Sequence, residues 1–147
     1  MTRVLPEMHT LTALCRVRRV ETDEARRDLG EALAQETALA ARDETMRCEL
    51  EAARQVSGEF DREAFSAWWG RMRIERTRLT DAMRTAEART AAAQTMLANR
   101  RVAETAAKDA LAREVTAHEV TVARREQEML EDVARALTRA ASGRARG

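Results

Sequence analysis

Proline occurs once in this chain, at position 6, and from there to Val56 only Gly30 is a further helix breaker. After Ser57-Gly58, glycine returns only at position 70 and in the tail. A chain with so few breakers has little choice but to form long helices, because Gly and Pro are the strongest local punctuation. Pro6 suits a first helical turn, where its missing N–H costs nothing.

The hydrophobic pattern agrees. In the first segment apolar residues recur every seven positions. One row is Leu11, Ala25, Ala32, Leu39, Met46, Ala53, interrupted by Arg18. A second, four positions on, is Met8, Cys15, Leu29, Leu50, with Thr22, Glu36 and Asp43 between. The two rows make a narrow heptad seam for one partner helix, and strand periodicity is absent. Composition supports this: charged residues are 35% and aromatics 3%, the profile of long helices or coiled coil. Much of the 44% of hydrophobic residues is alanine, which buries little area.

Ser57-Gly58 ends the first helix, with Gly58 placed to take the left-handed position after it. Asp61 is an N-cap for the next helix, and Phe60 with Phe65 has the spacing of a hydrophobic staple. A reversal near 57–61 makes the helices antiparallel neighbours. The second helix is expected from about Arg62 to about Ala141, followed by a frayed tail over 142–147. Its seam reads Trp69, Met72, Leu79, Met83, Ala86, Ala93, Leu97, Ala107, Leu111. The stripe then shifts to Val115, Val122, Met129, Val133, Leu137, the mark of a stutter or a new partner surface.

The fold class is therefore all-α: one long antiparallel two-helix coiled-coil hairpin over residues 1–147, with the second helix longer than the first. About 50 residues span roughly 75 Å and about 80 span roughly 120 Å. Paired from the turn outward, the first helix ends opposite about Leu111. The segment from Ala112 to Ala141 has no intrachain partner but keeps an apolar stripe, which needs something to pack on.

Other features narrow the function. A net charge of +1 provides no field to gather nucleic acid. No apolar run reaches the ~20 residues of a membrane span, and Met1 to Thr10 lacks the core of a signal peptide. A cytoplasmic protein is expected. Cys15 and Cys48 lie on one helix roughly 50 Å apart at 1.5 Å per residue, too far for a disulfide. His9 and His118 lack a third ligand for a metal. No phosphate-cradling loop or nucleophile elbow is present, and a coiled coil offers no pocket to tune a carboxylate. No catalytic, cofactor or metal residues are assigned, and the chain is expected not to be an enzyme.

Two clusters stand out. Phe60, Phe65, Trp68, Trp69 and Met72 gather every aromatic residue of the chain near the reversal. They either staple the turn or form a docking patch. Trp68 and Trp69 point about 100° apart, so one ring is expected to remain exposed. Arginines concentrate at Arg16, Arg18, Arg19, Arg26 and Arg27, and again at Arg124, Arg125, Arg135 and Arg139. Interspersed acids make a solvated face the plain explanation for these.

The residues then resemble a known family. Leu11–Arg19 (LTALCRVRR) and Glu24–Leu29 (EARRDL) are similar to the first-helix start of FliJ, the stalk component of the flagellar type III export ATPase, and of its YscO relatives in injectisomes. Phe65–Trp69 (FSAWW) falls where that family carries an aromatic motif. Arg125–Ala134 (REQEMLEDVA) looks like its terminal Arg/Glu-Gln-x-x-Leu-Asp-Glu pattern, with Glu-Asp replacing Asp-Glu. The resemblance implies a non-enzymatic stalk whose paired termini enter the pore of a hexameric export ATPase and promote its assembly and turnover. It also implies contact with the cytoplasmic domain of the export gate and with export chaperones, at the inner membrane. On that resemblance the ATPase-facing residues are Arg18, Arg19, Val122, Arg125, Met129 and Val133. The gate-facing residues are Phe65, Trp68, Trp69 and Met72. A structural coiled-coil scaffold and a helical secretion chaperone are the alternatives.

Overall fold

A computed structural model describes residues 4–56 and 62–146, with side chains from Pro6 onward. The chain is all-helical: α1 runs Val4–Val56 (53 residues) and α2 runs Arg62–Ala145 (84 residues). They pack as a helical hairpin with the second helix longer. The expected capping and staple residues Ser57, Gly58, Phe60 and Asp61 lie outside the described residues.

The chain divides into two compact units. One is Val20–Val102, which holds most of the seam. Ion pairs and hydrogen bonds across this unit establish antiparallel pairing. Arg100 reaches Glu21 at 3.2 Å, Arg89 reaches Gln35 at 2.9 Å, and Arg42 reaches Glu75 at 3.4 Å. As α1 ascends, its partners on α2 descend. The buried apolar residues are Ala25, Ala32, Met46, Leu79, Ala86 and Leu97. Small side chains recur among them, which lets the two backbones approach closely.

Every position of the two expected α1 rows, from Leu11 to Ala53, is buried or half-buried, the polar ones included. Thr22 is 0% exposed and Ala32 is 1% exposed. Asp43, whose side chain is 19% exposed, is neutralised within its own helix by Arg47 at 2.9 Å. On α2 the seam also takes in Thr90 and Arg100, which apolar periodicity did not mark. Polar residues at seam positions weaken a coil but tie it to one register.

The second unit combines the start of α1, up to Arg19, with α2 from Ala103 onward. Ala107 is buried; Leu11, Cys15, Arg18, Leu111, Val115, His118 and Val122 are half-buried. Glu104, 12% exposed, is held by Lys108 at 2.7 Å. Cover on α2 therefore lasts through Val122 rather than ending near Leu111. α1 starts at Val4, two residues before Pro6, which lengthens the cover it gives α2.

The far end differs too. Instead of fraying from Ser142, α2 continues to Ala145 through Gly143. Among the described residues no glycine takes positive φ, so Gly143 is an interior residue and not a cap. Ser142 and Thr138 bond back to carbonyls one turn earlier, which satisfies their hydroxyls within the helix.

Candidate partner-binding surfaces

Two surfaces gather the residues singled out by sequence, one in each unit.

In the Val20–Val102 unit, Phe65, Trp68 and Trp69 form one aromatic group on the first turns of α2. Positions 65, 68 and 69 are neighbours on a helix surface. Ring centroids are 5.8 Å apart for Phe65–Trp68 and 6.2 Å for Phe65–Trp69, the latter stacked at 19°. Trp68 and Trp69 tilt by 46° at 6.2 Å. Phe65 and Trp68 face Ala52, Ala53 and Val56 of α1 across a groove of about 430 Å³, with Ala64 also lining it. Only alanines and a valine answer the large rings there, so the space between helices stays unfilled and almost wholly apolar.

The expectation that one tryptophan stands exposed is corrected. Both are half-buried, as are Phe65 and Met72. Ring-on-ring packing shelters each indole, and Trp68 also faces α1 across the groove. Ala52 and Val56 were missed at the sequence level, because they lie outside the α1 heptad rows.

In the other unit, every residue of α2 from Ala123 onward is exposed. Within this overhang Met129, Leu130, Val133 and Leu137 are 67%, 69%, 52% and 66% exposed. Ala134, Ala136, Ala140 and Ala141 fill the same face. At 100° per residue these eight span an arc of about 160°. The opposite face carries Glu131, Asp132, Arg135, Thr138 and Arg139. Arg135 pairs there with Glu131 and Asp132, each at 3.3 Å. These exposed pairs contribute little stability, but they keep the charges on one side.

Val122, Met129 and Val133 thus sit on or beside one apolar strip, with Val122 half-buried at its start. Leu130 and Leu137 are its largest members with Met129; Leu130 was overlooked, although its spacing to Val133, Ala134 and Leu137 is the helical i, i+3, i+4, i+7 pattern. Arg19 and Arg125 are exposed, whereas Arg18 is half-buried in the seam row and already engaged within the chain. Arg18 and Arg19 face a part of α2 well before the overhang, so the six terminal residues do not form one patch.

Among the described residues no cluster of three or more His, Cys, Asp or Glu could hold a metal ion. Cys15 and Cys48 are free thiols. Among the same residues no helix is long and apolar enough to cross a membrane. No protein-family model, curated protein or solved structure matches this chain.

Proposed function

We propose that this chain is a non-enzymatic, stalk-like component of a flagellar type III protein export apparatus. It binds a hexameric export ATPase and promotes its turnover, and it contacts the export gate and empty export chaperones. It works in the cytoplasm, peripherally attached to the apparatus at the inner membrane.

The observation that carries this is the overhang. A helix of 84 residues is partnered only part-way, and beyond the cover its stretch from Met129 to Ala141 presents an apolar face about 160° wide. Its central line suits one helix, and its full width also fits a groove shaped by several helices, as the lumen of a ring would supply. Val122, Met129 and Val133 make the apolar contact, with Arg125 beside it as a charged contact and Arg19 as a separate one further along the stalk. Arg18 contributes by holding the seam. The gate contact belongs to Phe65, Trp68, Trp69 and Met72, whose groove accepts an apolar side chain; rigid, half-sheltered aromatics are common anchors in interfaces.

Turnover of the export ATPase from the same genome is the test, with the full chain and with a chain ending at Val122. Stimulation by the full chain alone supports the stalk. Absence of stimulation by a correctly helical full chain rejects it in favour of a coiled-coil scaffold.

A further inference from the structure

The centre of the overhang's apolar face does not continue the seam that packs on α1; only its Met129 edge follows on from Val122. Ala107, Leu111, Glu114 and His118 mark the covered line of α2 in this unit. Projected at 100° per residue, that line lies about 100° from the line through Leu130, Val133 and Leu137, with the half-buried Val115 and Val122 on its near edge. The two faces therefore look in different directions, and whatever covers the second does not lie along α1.

The overhang has its own heptad rows, and they are self-complementary. One row is Leu130, Leu137, Arg144; the other is Glu126, Val133, Ala140. Within them the only charged residues are Glu126 and Arg144, of opposite sign and at opposite ends. Laid antiparallel on itself, the segment pairs the first row with the second. The layers become Glu126 on Arg144, Leu130 on Ala140, and Val133 on Leu137, each repeated by the two-fold axis. A parallel arrangement stacks Glu126 on Glu126 and Arg144 on Arg144, which like charges oppose.

The register also fits the exposed length. Its axis falls at position 135, close to the middle of the exposed stretch from Ala123 to Ala145. α1 covers α2 only before this stretch, so a second overhang can lie along it without meeting the α1 of either copy. The charged back face, with Arg135 bridging Glu131 and Asp132, stays in water.

From this complementarity we infer that the overhang docks a second copy of this chain, as an antiparallel homodimer with Glu126 against Arg144 at both ends. The contact is a short one, so the dimer is reversible. It is independent of the stalk function, and where both hold, an ATPase ring would compete with the second copy for Leu130, Val133 and Leu137.

Sedimentation equilibrium of the full-length chain tests this, from about 1 µM to about 1 mM, the range of a reversible contact. The mass is expected to rise from one chain to two. Leu137→Asp should remain at one chain with its helical content kept, since Leu137 is 66% exposed. Glu126→Arg and Arg144→Glu should each weaken the dimer about tenfold, by turning two attractive end pairs into repulsive ones. The double variant E126R/R144E restores both pairs and should recover to within about threefold of wild type. A single-chain mass throughout would overturn the inference and leave the face to a different protein. A dimer indifferent to Leu137→Asp, or a double variant no stronger than the single ones, would overturn it as well.

Discussion

The hydroxyl of Thr22, fully buried, donates to the backbone carbonyl of Arg100 at 3.4 Å, across 78 positions of sequence. This long hydrogen bond ties α1 to α2 at one level of the seam. The neighbouring ion pair of Arg100 with Glu21 at 3.2 Å reinforces it. Thr90, the other buried threonine of the seam, has no such arrangement: its hydroxyl oxygen is buried without a hydrogen-bond partner.

That contrast gives a prediction. Thr90→Val keeps the side-chain shape and removes the unsatisfied oxygen, so it should stabilise the hairpin by about 1 kcal/mol in urea unfolding. Thr22→Val should destabilise by a similar amount, because it deprives Arg100 of a partner. Equal effects of the two would contradict the assigned hydrogen bonding.

Glycines offer an independent gain. A Cβ added at Gly30 or Gly70 would meet nothing within 4 Å, and neither residue takes positive φ. Each Gly→Ala change should add about 1 kcal/mol of helix stability, and the pair should act additively. Thermal unfolding monitored by circular dichroism measures both. A fall in Tm would mean that these positions bend in solution.

The seam itself is tested by Leu79 and Leu39. Leu79 is 5% exposed, and Leu79→Ala should cost about 2–3 kcal/mol through lost burial and the void it leaves. Leu39→Asp places a charge between helices where the surroundings are apolar, and should cost at least as much. Unchanged unfolding in both variants would rule out the pairing described.

Phe65 touches both indoles, so Phe65→Ala should release them together. We expect a stability loss of about 1–2 kcal/mol and a red shift of tryptophan emission as the rings gain water. An unshifted spectrum would show that the aromatic group does not depend on Phe65.

Ending the chain after Val122 removes a stretch whose described residues, 123–146, are all exposed. At a concentration where the chain is monomeric, the truncated protein should unfold at a Tm within a few degrees of the full chain, with less total helix. A large drop in Tm would mean that the overhang packs back onto the hairpin.

The heptad rows of α1 were legible as sequence because each seam position repeats at one helical phase, and even Arg18, Thr22, Glu36 and Asp43 occupy the line that periodicity drew. The second-helix rows were legible where apolar, but Thr90 and Arg100 were not, since a polar residue announces no burial. The two candidate surfaces were likewise half visible. Clustering of Phe65, Trp68 and Trp69 is a fact of order along the chain, whereas the groove they share with Ala52 and Val56 is not. In the overhang Met129 and Val133 were marked by their spacing, but the full width of the face emerged only when α2 proved helical through Gly143 to Ala145.

By itself, then, the sequence determined that this protein is two long helices of unequal length, and which stripe of each turns inward. That information is local: propensity, breaker placement and a seven-residue repeat act over neighbouring turns. Only the tertiary structure decided how far the partnership extends, where cover stops at Val122, and how the two indoles share one shelter. Those outcomes depend on where side chains from distant positions meet, and no repeat along a single helix encodes the reach of its neighbour.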